Sequence, residues 1–300
     1  MKKLILKGVL YLLLVGSPVL LVLATRSSIL EDRFYWKVAY PASALIMGNS
    51  QPGEGINPAI IEQSVEMKGR MLNIAFDGTN SPYGAPYLKF IKRKLRRGVL
   101  NGLFILSVSP EVVSDFADGY GRREEQFMYF DLWSVNIHPN VEFLFRRLGH
   151  NNSLLMDILK ESEENRNFTN HKNGWCEVKV KHMKPKPKFF RPQFKQELVP
   201  SDIRLDYLEE TINWLKERGD VILIRMPIDK AALKAERNVY PGFKEVIQGI
   251  ASARSVPFWD YSDEGDQFIF HDHSLHLESR GAVAFSELLA KDIKQYQKSK

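Results

Sequence analysis

Five short apolar runs alternate with helix-patterned segments along most of this chain. The runs are residues 44–47, 71–76, 103–108, 221–226 and 256–261, and the helical patterns are 58–68, 87–97, 201–218, 240–253 and 281–297. A strand that is apolar at nearly every position is buried on both faces, and such strands build parallel sheets whose crossover helices cover both sides. The alternation therefore predicts an α/β fold: a doubly wound parallel sheet in three layers, α/β/α. Leu205, Leu208, Ile212 and Leu215 recur at three- and four-residue steps, the period of a helix with one buried stripe. Gly219 after Arg218 reads as a helix stop ahead of the next strand. In the last helix Ala284, Phe285, Leu288, Leu289 and Ile293 share one face.

The pattern breaks between about 110 and 200. That region holds aromatic pieces at 127–130 and 143–145, a helical stretch at 153–162 and a polar loop. Seven lysines and arginines follow between Glu177 and Glu197 with no acid among them, including Lys184-Pro185-Lys186-Pro187-Lys188. Prolines at that spacing oppose helix and favour extended chain. The whole region reads as an insertion after the third strand, expected to lie like a lid over the carboxyl end of the sheet and shape the substrate site.

At the amino terminus Lys2, Lys3 and Lys7 precede an uncharged stretch, 8–24. As a helix it measures ~26 Å, just short of a bilayer core, and Leu4-Ile5-Leu6 extend it if Lys7 snorkels. The expected organisation is a membrane anchor or signal segment at 1–28, an aromatic juxtamembrane connector at 29–41, and an α/β domain at 42–300. Positive charge ahead of an apolar segment places the body outside the cytoplasm. Val22-Leu23-Ala24 leaves a cleaved signal peptide as the rival reading, with secretion in place of a single-pass anchor.

A net charge of +6 with 26% charged residues is mild, and no basic base-reading helix or nucleic-acid motif is present. Nucleic acid is not an expected partner. The single cysteine, Cys176, excludes an intramolecular disulfide framework and a cysteine-built zinc site.

Chemistry concentrates at three points. Residues 44–50 end in Gly48-Asn49-Ser50, a glycine-led turn at the carboxyl end of the first strand, where open α/β sheets bind ligands. Ser50 there is either a helix cap or a nucleophile. The second strand ends at Asp77-Gly78-Thr79-Asn80-Ser81, where Gly78 offers a backbone N–H and Asn80 a side-chain donor to an oxyanion; an ordinary turn is the alternative. Far downstream, Asp272 and His276 precede the last helix, so an imidazole with an orienting carboxylate could reach a serine on a neighbouring strand end. His271, His273 and His276 could instead bind a metal or form a solvated polar loop, although they lack the i,i+4 helical spacing of common zinc hydrolases. Arg225, ending the fourth strand, is a candidate for an anionic substrate group or a structural ion pair. Residues 151–153 and 167–169 match glycosylation acceptors.

These three points together resemble the SGNH/GDSL hydrolase superfamily. Gly48-Asn49-Ser50 resembles its first block, with the nucleophilic serine; 73–78 resembles the second, whose glycine helps form the oxyanion hole. His276-Leu277 with Arg280-Gly281-Ala282 and Phe285-Ser286 resembles the last block. The resemblance covers about 42–109 and 220–296 and is closest to membrane-anchored envelope members, including those related to alginate acetylation and teichoic-acid D-alanylation. Two positions depart from the pattern. Asp272 lies four residues before His276 where the family acid usually lies three before, and 106–110 carry no oxyanion-hole asparagine.

The resemblance implies a flavodoxin-like three-layer fold and an extracytoplasmic serine esterase or O-acyltransferase. Ser50, His276 and Asp272 would be catalytic, Gly78 and Asn80 oxyanion donors, and Arg225 a substrate contact. The substrate would be an acylated envelope polysaccharide, with polysaccharide-assembly proteins as further partners and no metal or organic cofactor required. The competing expectation is a catalytically silent fold used for binding in polysaccharide export.

Overall fold

The computed structural model describes residues 1–25, 32–76, 81–116, 132–150, 167–179, 198–272 and 274–300, without the side chains of 19–25 and 147–150. Five parallel strands form its central sheet: β1 (Ala44–Met47), β2 (Met71–Asn73), β3 (Gly102–Ser107), β4 (Gly219–Arg225) and β5 (Phe258–Asp260), in the order β2-β1-β3-β4-β5. Every residue of β1 and β3 is buried, as cover on both faces requires. Strand alternation then splits the core in two. Leu45, Met47, Phe104, Leu106 and Leu223 face one layer with Leu208, Ile212, Leu215 and Ile247. Ala44, Ile46, Leu103, Ile105, Ile222 and Ile224 face the other with Ile61, Phe285, Leu289 and Ile293. The helices Ala85–Lys94, Asp202–Lys216 and Phe243–Ala253 thus cover one face, and Pro58–Ser64 with the closing helix Ser279–Lys298 covers the other.

Some expected elements are differently bounded. The second strand ends at Asn73, yet Ile74 and Phe76 still donate to the carbonyls of Ile46 and Gly48, so the chain stays beside β1 as far as Phe76. Gly219 opens β4 and does more than stop a helix: it lies against Gly102, and a Cβ there would sit 2.0 Å from the Gly102 carbonyl oxygen. The helix Lys230–Val239, absent from the apolar pattern, is started by the Asp229 carboxylate, which accepts from the N–H groups of Ala231 and Ala232.

Within the expected insertion, two short antiparallel pairs are described: Ser114–Phe116 with Leu198–Pro200, and Phe168–Asn170 with Cys176–Val178. The second is a hairpin whose turn packs against the outer strand, with Asn73 N–H donating to the Asn173 carbonyl. It thereby covers an edge that would otherwise expose unpaired backbone groups. The lysine-proline run and the 153–162 stretch lie outside the described residues.

Of the amino-terminal expectations, the spanning helix and the connector need correction. Residues Lys2–Thr25 form one helix with exposed apolar side chains from Leu4 to Val15. Among the described residues, however, no helix is long and apolar enough to cross a membrane. The stretch read as a connector joins the body instead: Tyr35–Ala39 is a buried helix, with Tyr35, Trp36 and Val38 in the core.

Lys37 on that helix is fully inside the protein and donates to the carbonyls of Asn73 (3.0 Å) and Gly174 (2.7 Å), tying helix, outer strand and hairpin together. Burial pulls its ammonium down to about 7, opposed by Cys176 and Glu54 and assisted by Arg33. Unfolded lysine titrates near ~10.4, so between these values the unfolded chain holds a proton that the folded one lacks. Stability therefore rises with pH across that window and is lost as pH falls toward the folded value. Lys37→Met is expected to flatten this slope by about 1.4 kcal/mol per pH unit. Urea unfolding at several pH values inside the window reads it, and identical slopes for both proteins would refute the assignment.

Candidate active site

The sheet order reverses direction between β1 and β3, and at such a switch point the loops leaving adjacent strands diverge and open a crevice at the carboxyl edge. Ser50 stands there. Gly48 turns the chain at φ +141°, where a Cβ would lie 2.7 Å from Pro52 Cγ and 2.9 Å from Ser107 Cβ. Asn49 caps the short helix Ser50–Gly55 by accepting the Gln51 N–H at 3.1 Å, while its amide nitrogen donates to Glu111 Oε1 at 2.6 Å. The serine is thus fixed by a turn that only glycine enters without strain. Gly48→Ala is expected to cost about 1–3 kcal/mol and to displace Ser50; chemical denaturation measures the first, and an unchanged unfolding midpoint would argue against it.

The second half of the site is a closed loop. A bridge pairs Phe270 with Leu277, His271 N–H donates to the His276 carbonyl at 3.0 Å, and Glu278 N–H donates to Ile269 at 2.8 Å. Asp272 fills the loop. Its Oδ1 accepts the N–H groups of Ser274, Leu275 and His276 at 3.0–3.1 Å, and its Oδ2 lies 2.7 Å from His276 Nδ1. The tight turn folds the four-residue separation back on itself, so the carboxylate meets the ring despite the extra residue. Because the carboxylate accepts, the ring proton belongs on Nδ1, and Nε2 presents its lone pair. That nitrogen is 2.7 Å from Ser50 Oγ. Ser50, His276 and Asp272 therefore form one continuous hydrogen-bonded chain, with Ser50 and His276 both buried.

A second carboxylate stands beside this chain. Glu54, one turn after Ser50, pairs with Arg33 through Oε1 and with His271 Nε2 through Oε2 at 2.9 Å. The His271 ring lies 5.6 Å from that of His276. Burial alone would raise the Glu54 carboxyl, but the charge of His276, the hydrogen bond from His271 and the charge of Arg33 outweigh it and hold the group below the usual range. It is an anion beside the imidazole at neutral pH. Trp175 of the hairpin donates to the Glu54 carbonyl at 2.8 Å, and Asn73 donates its amide to Pro52 and Ile56, so the helix carrying Ser50 and Glu54 is clamped from two sides.

Sequence patterns had no means of finding Glu54 or Arg33, because neither sits in a recognisable motif. Gln51 was equally silent: it is buried, and neither of its amide atoms has a hydrogen-bond partner among the described residues. Gly78, Asn80 and His273 lie outside the described residues. The loop after β3 reaches the serine turn through Ser109 and Glu111, which contact Asn49. For Arg225 the structure shows the second of the two expected roles. It is buried, ion-paired with Glu236 and set over the Phe243 ring at 4.8 Å, two strands away from β1. Its guanidinium joins the Lys230–Val239 helix to the sheet, which is the structural ion-pair alternative.

No protein-family model matches the chain, and no curated protein matches it in sequence. Among solved structures, the crystal structure of the lipase/acylhydrolase from Enterococcus faecalis is similar to it with a TM-score of 0.41 and 13% identity, over 84% of this chain and 96% of that one.

Proposed function

We propose that the protein is a serine esterase or O-acyltransferase that acts outside the cytoplasm on acyl groups of an envelope polysaccharide. The observation that carries this reading is the unbroken Ser50–His276–Asp272 chain, with both links at 2.7 Å, at the switch point of the sheet. Ser50 Oγ attacks the acyl carbonyl as its proton passes to His276 Nε2. The tetrahedral intermediate collapses, the ester C–O bond breaks, and Nε2 returns the proton to the departing alkoxide. Water, or a sugar hydroxyl, then gives its proton to Nε2 and attacks the acyl-serine, which regenerates Ser50. Asp272 stays ionised and holds the Nδ1 proton throughout. The negative charge of Glu54 favours the imidazolium that forms in both halves. The Ser50 N–H, which opens a helix and so lacks a partner within it, is the first oxyanion donor. Gly78 and Asn80 are proposed as the others.

Resemblance of the Gly48-Asn49-Ser50 and His276-Leu277 motifs to SGNH/GDSL hydrolases supports the same chemistry. An extracytoplasmic location is supported by the lysines that precede the apolar 8–24 stretch. Protease accessibility in intact cells compared with lysed ones tests it.

The test of the chemistry is a fluorophosphonate probe on the full chain. Labelling of the peptide that contains Ser50 is the expected result, and an inert wild type would overturn it. One observation favours a second reading, a silent fold that binds polysaccharide: the loop after β3 brings a carboxylate, Glu111, to the serine turn where hydrolases of this type bring an amide. Glycan binding by a probe-inert wild type is what that reading predicts.

A further inference from the structure

Two imidazoles and a carboxylate converge beside the serine. One nitrogen from each of His271 and His276 and one oxygen of Glu54 all lie within 4.8 Å of one another. The trio comes from two distant parts of the chain: Glu54 from the helix after Ser50, and the two histidines from one loop, brought level by the His271–His276 backbone hydrogen bond. We propose that this trio is a binding site for a divalent transition-metal ion of the zinc type, and that the bound ion switches the serine chemistry off. The proposal rests on the serine-hydrolase reading above for its effect on activity, but not for the binding itself.

The donor set fits that ion. Two neutral imidazoles with one carboxylate are a common zinc set, at ~2.0–2.2 Å from the metal, with a fourth position left to an oxygen. Two of the three ligands are also oriented from behind, as metal ligands ordinarily are. Asp272 Oδ2 holds His276 Nδ1, which leaves Nε2 to donate its lone pair. Arg33 holds Glu54 Oε1, which leaves Oε2 for the metal. His271 Nε2 and Glu54 Oε2 are already 2.9 Å apart, a separation suited to neighbours in one coordination sphere. On binding, the proton of His271 moves from Nε2 to Nδ1 by exchange with water, so no charge is lost from the ring. Burial of Glu54 and His276 strengthens the attraction between anion and cation. Arg33 opposes it, being a cation on the same carboxylate, and limits the affinity.

The consequence for the reaction follows from one atom. His276 Nε2 is the base that takes the Ser50 proton at 2.7 Å, and its single lone pair cannot serve a metal and a proton together. Ser50 Oγ then becomes the fourth ligand or loses its partner, and in either case acylation stops.

Three measurements on the full chain decide this. Co²⁺, added to Ser50→Ala, reads binding through its visible absorption without any need for activity; tetrahedral bands at one equivalent are expected, and their absence would overturn the site. Zn²⁺ is expected to slow fluorophosphonate labelling of the wild type and EDTA to restore it, whereas labelling indifferent to Zn²⁺ would overturn the switch. His271→Gln, measured against its own metal-free labelling rate, is expected to need at least about 10- to 100-fold more Zn²⁺ for half-inhibition. Equal sensitivity in that variant would place the metal elsewhere. If His271→Gln does not fold, loss of the Co²⁺ bands in Glu54→Gln is the substitute test. A wild type that binds Co²⁺ but never labels would sink the hydrolase reading and leave the metal site standing.

Discussion

Ser50→Ala is expected to lower turnover of a simple activated ester such as p-nitrophenyl acetate by about 10⁶, the loss that follows removal of a nucleophile from a serine–histidine pair. The size of the effect comes from geometry. Ser50 Oγ is the atom that meets His276 Nε2, at 2.7 Å, so its loss leaves the imidazole with nothing to deprotonate except water. The fold should not notice, because the serine turn is held by Gly48, Asn49 and the clamp on the following helix, not by the hydroxyl. Steady-state hydrolysis and thermal melting, measured together, read the two claims. Wild-type turnover in the variant would remove Ser50 from the chemistry, and a large drop in melting temperature would make lost activity uninterpretable as chemistry.

Asp272→Asn is expected to cost about 10⁴ in turnover while leaving the loop folded. The asparagine oxygen can still accept the three N–H groups that Oδ1 accepts now. Its amide nitrogen, however, would face His276 Nδ1 as a donor, so the ring must carry its proton on Nε2 and point that proton at Ser50. A base becomes an acid in the wrong place. Asp272→Ala separates the two roles of the residue: it should lose similar activity and also cost about 1–3 kcal/mol, because buried N–H groups are left without an acceptor. Esterase rates alongside urea midpoints distinguish them. An active Asp272→Asn would show that the imidazole finds its tautomer without the carboxylate, and equal stability of the asparagine and alanine forms would deny the loop its anchor.

Legibility followed the range of the forces involved. The central strands announced themselves because burial on both faces demands uninterrupted apolar runs, and 103–108 and 221–226 could be little else. The closing helix was plain for the same reason, its buried stripe recurring at helical spacing. Where an element depends on a polar cap, as at Asp229 ahead of Lys230–Val239, the apolar pattern stayed mute. Residues 32–41 misled in the opposite direction. Their aromatic character fits a membrane-surface connector as well as a core helix, and only packing against β1 and the Lys37 bond to the hairpin distinguish the two.

For the site, local chain chemistry already marked Ser50, Asp272 and His276 as a serine at a strand end and an acid with an imidazole before a helix. What it could not decide was distance. The four-residue gap from Asp272 to His276 looked like a defect, and becomes workable only because the loop closes between Phe270 and Leu277 and turns the carboxylate inward. Arg225 read as a substrate contact or a structural ion pair, and only packing brings it to Glu236. Glu54, Arg33 and His271 had no shared motif, since residues 33, 54 and 271 meet only when the helix after β1 is pressed against the last loop. The amino-acid order by itself determined the strands, the layers and the reactive groups, because hydrophobic period and functional-group chemistry are local properties. Tertiary structure alone decided which of those groups are neighbours, because hydrogen bonding and charge coupling act over a few ångströms of space irrespective of separation along the chain.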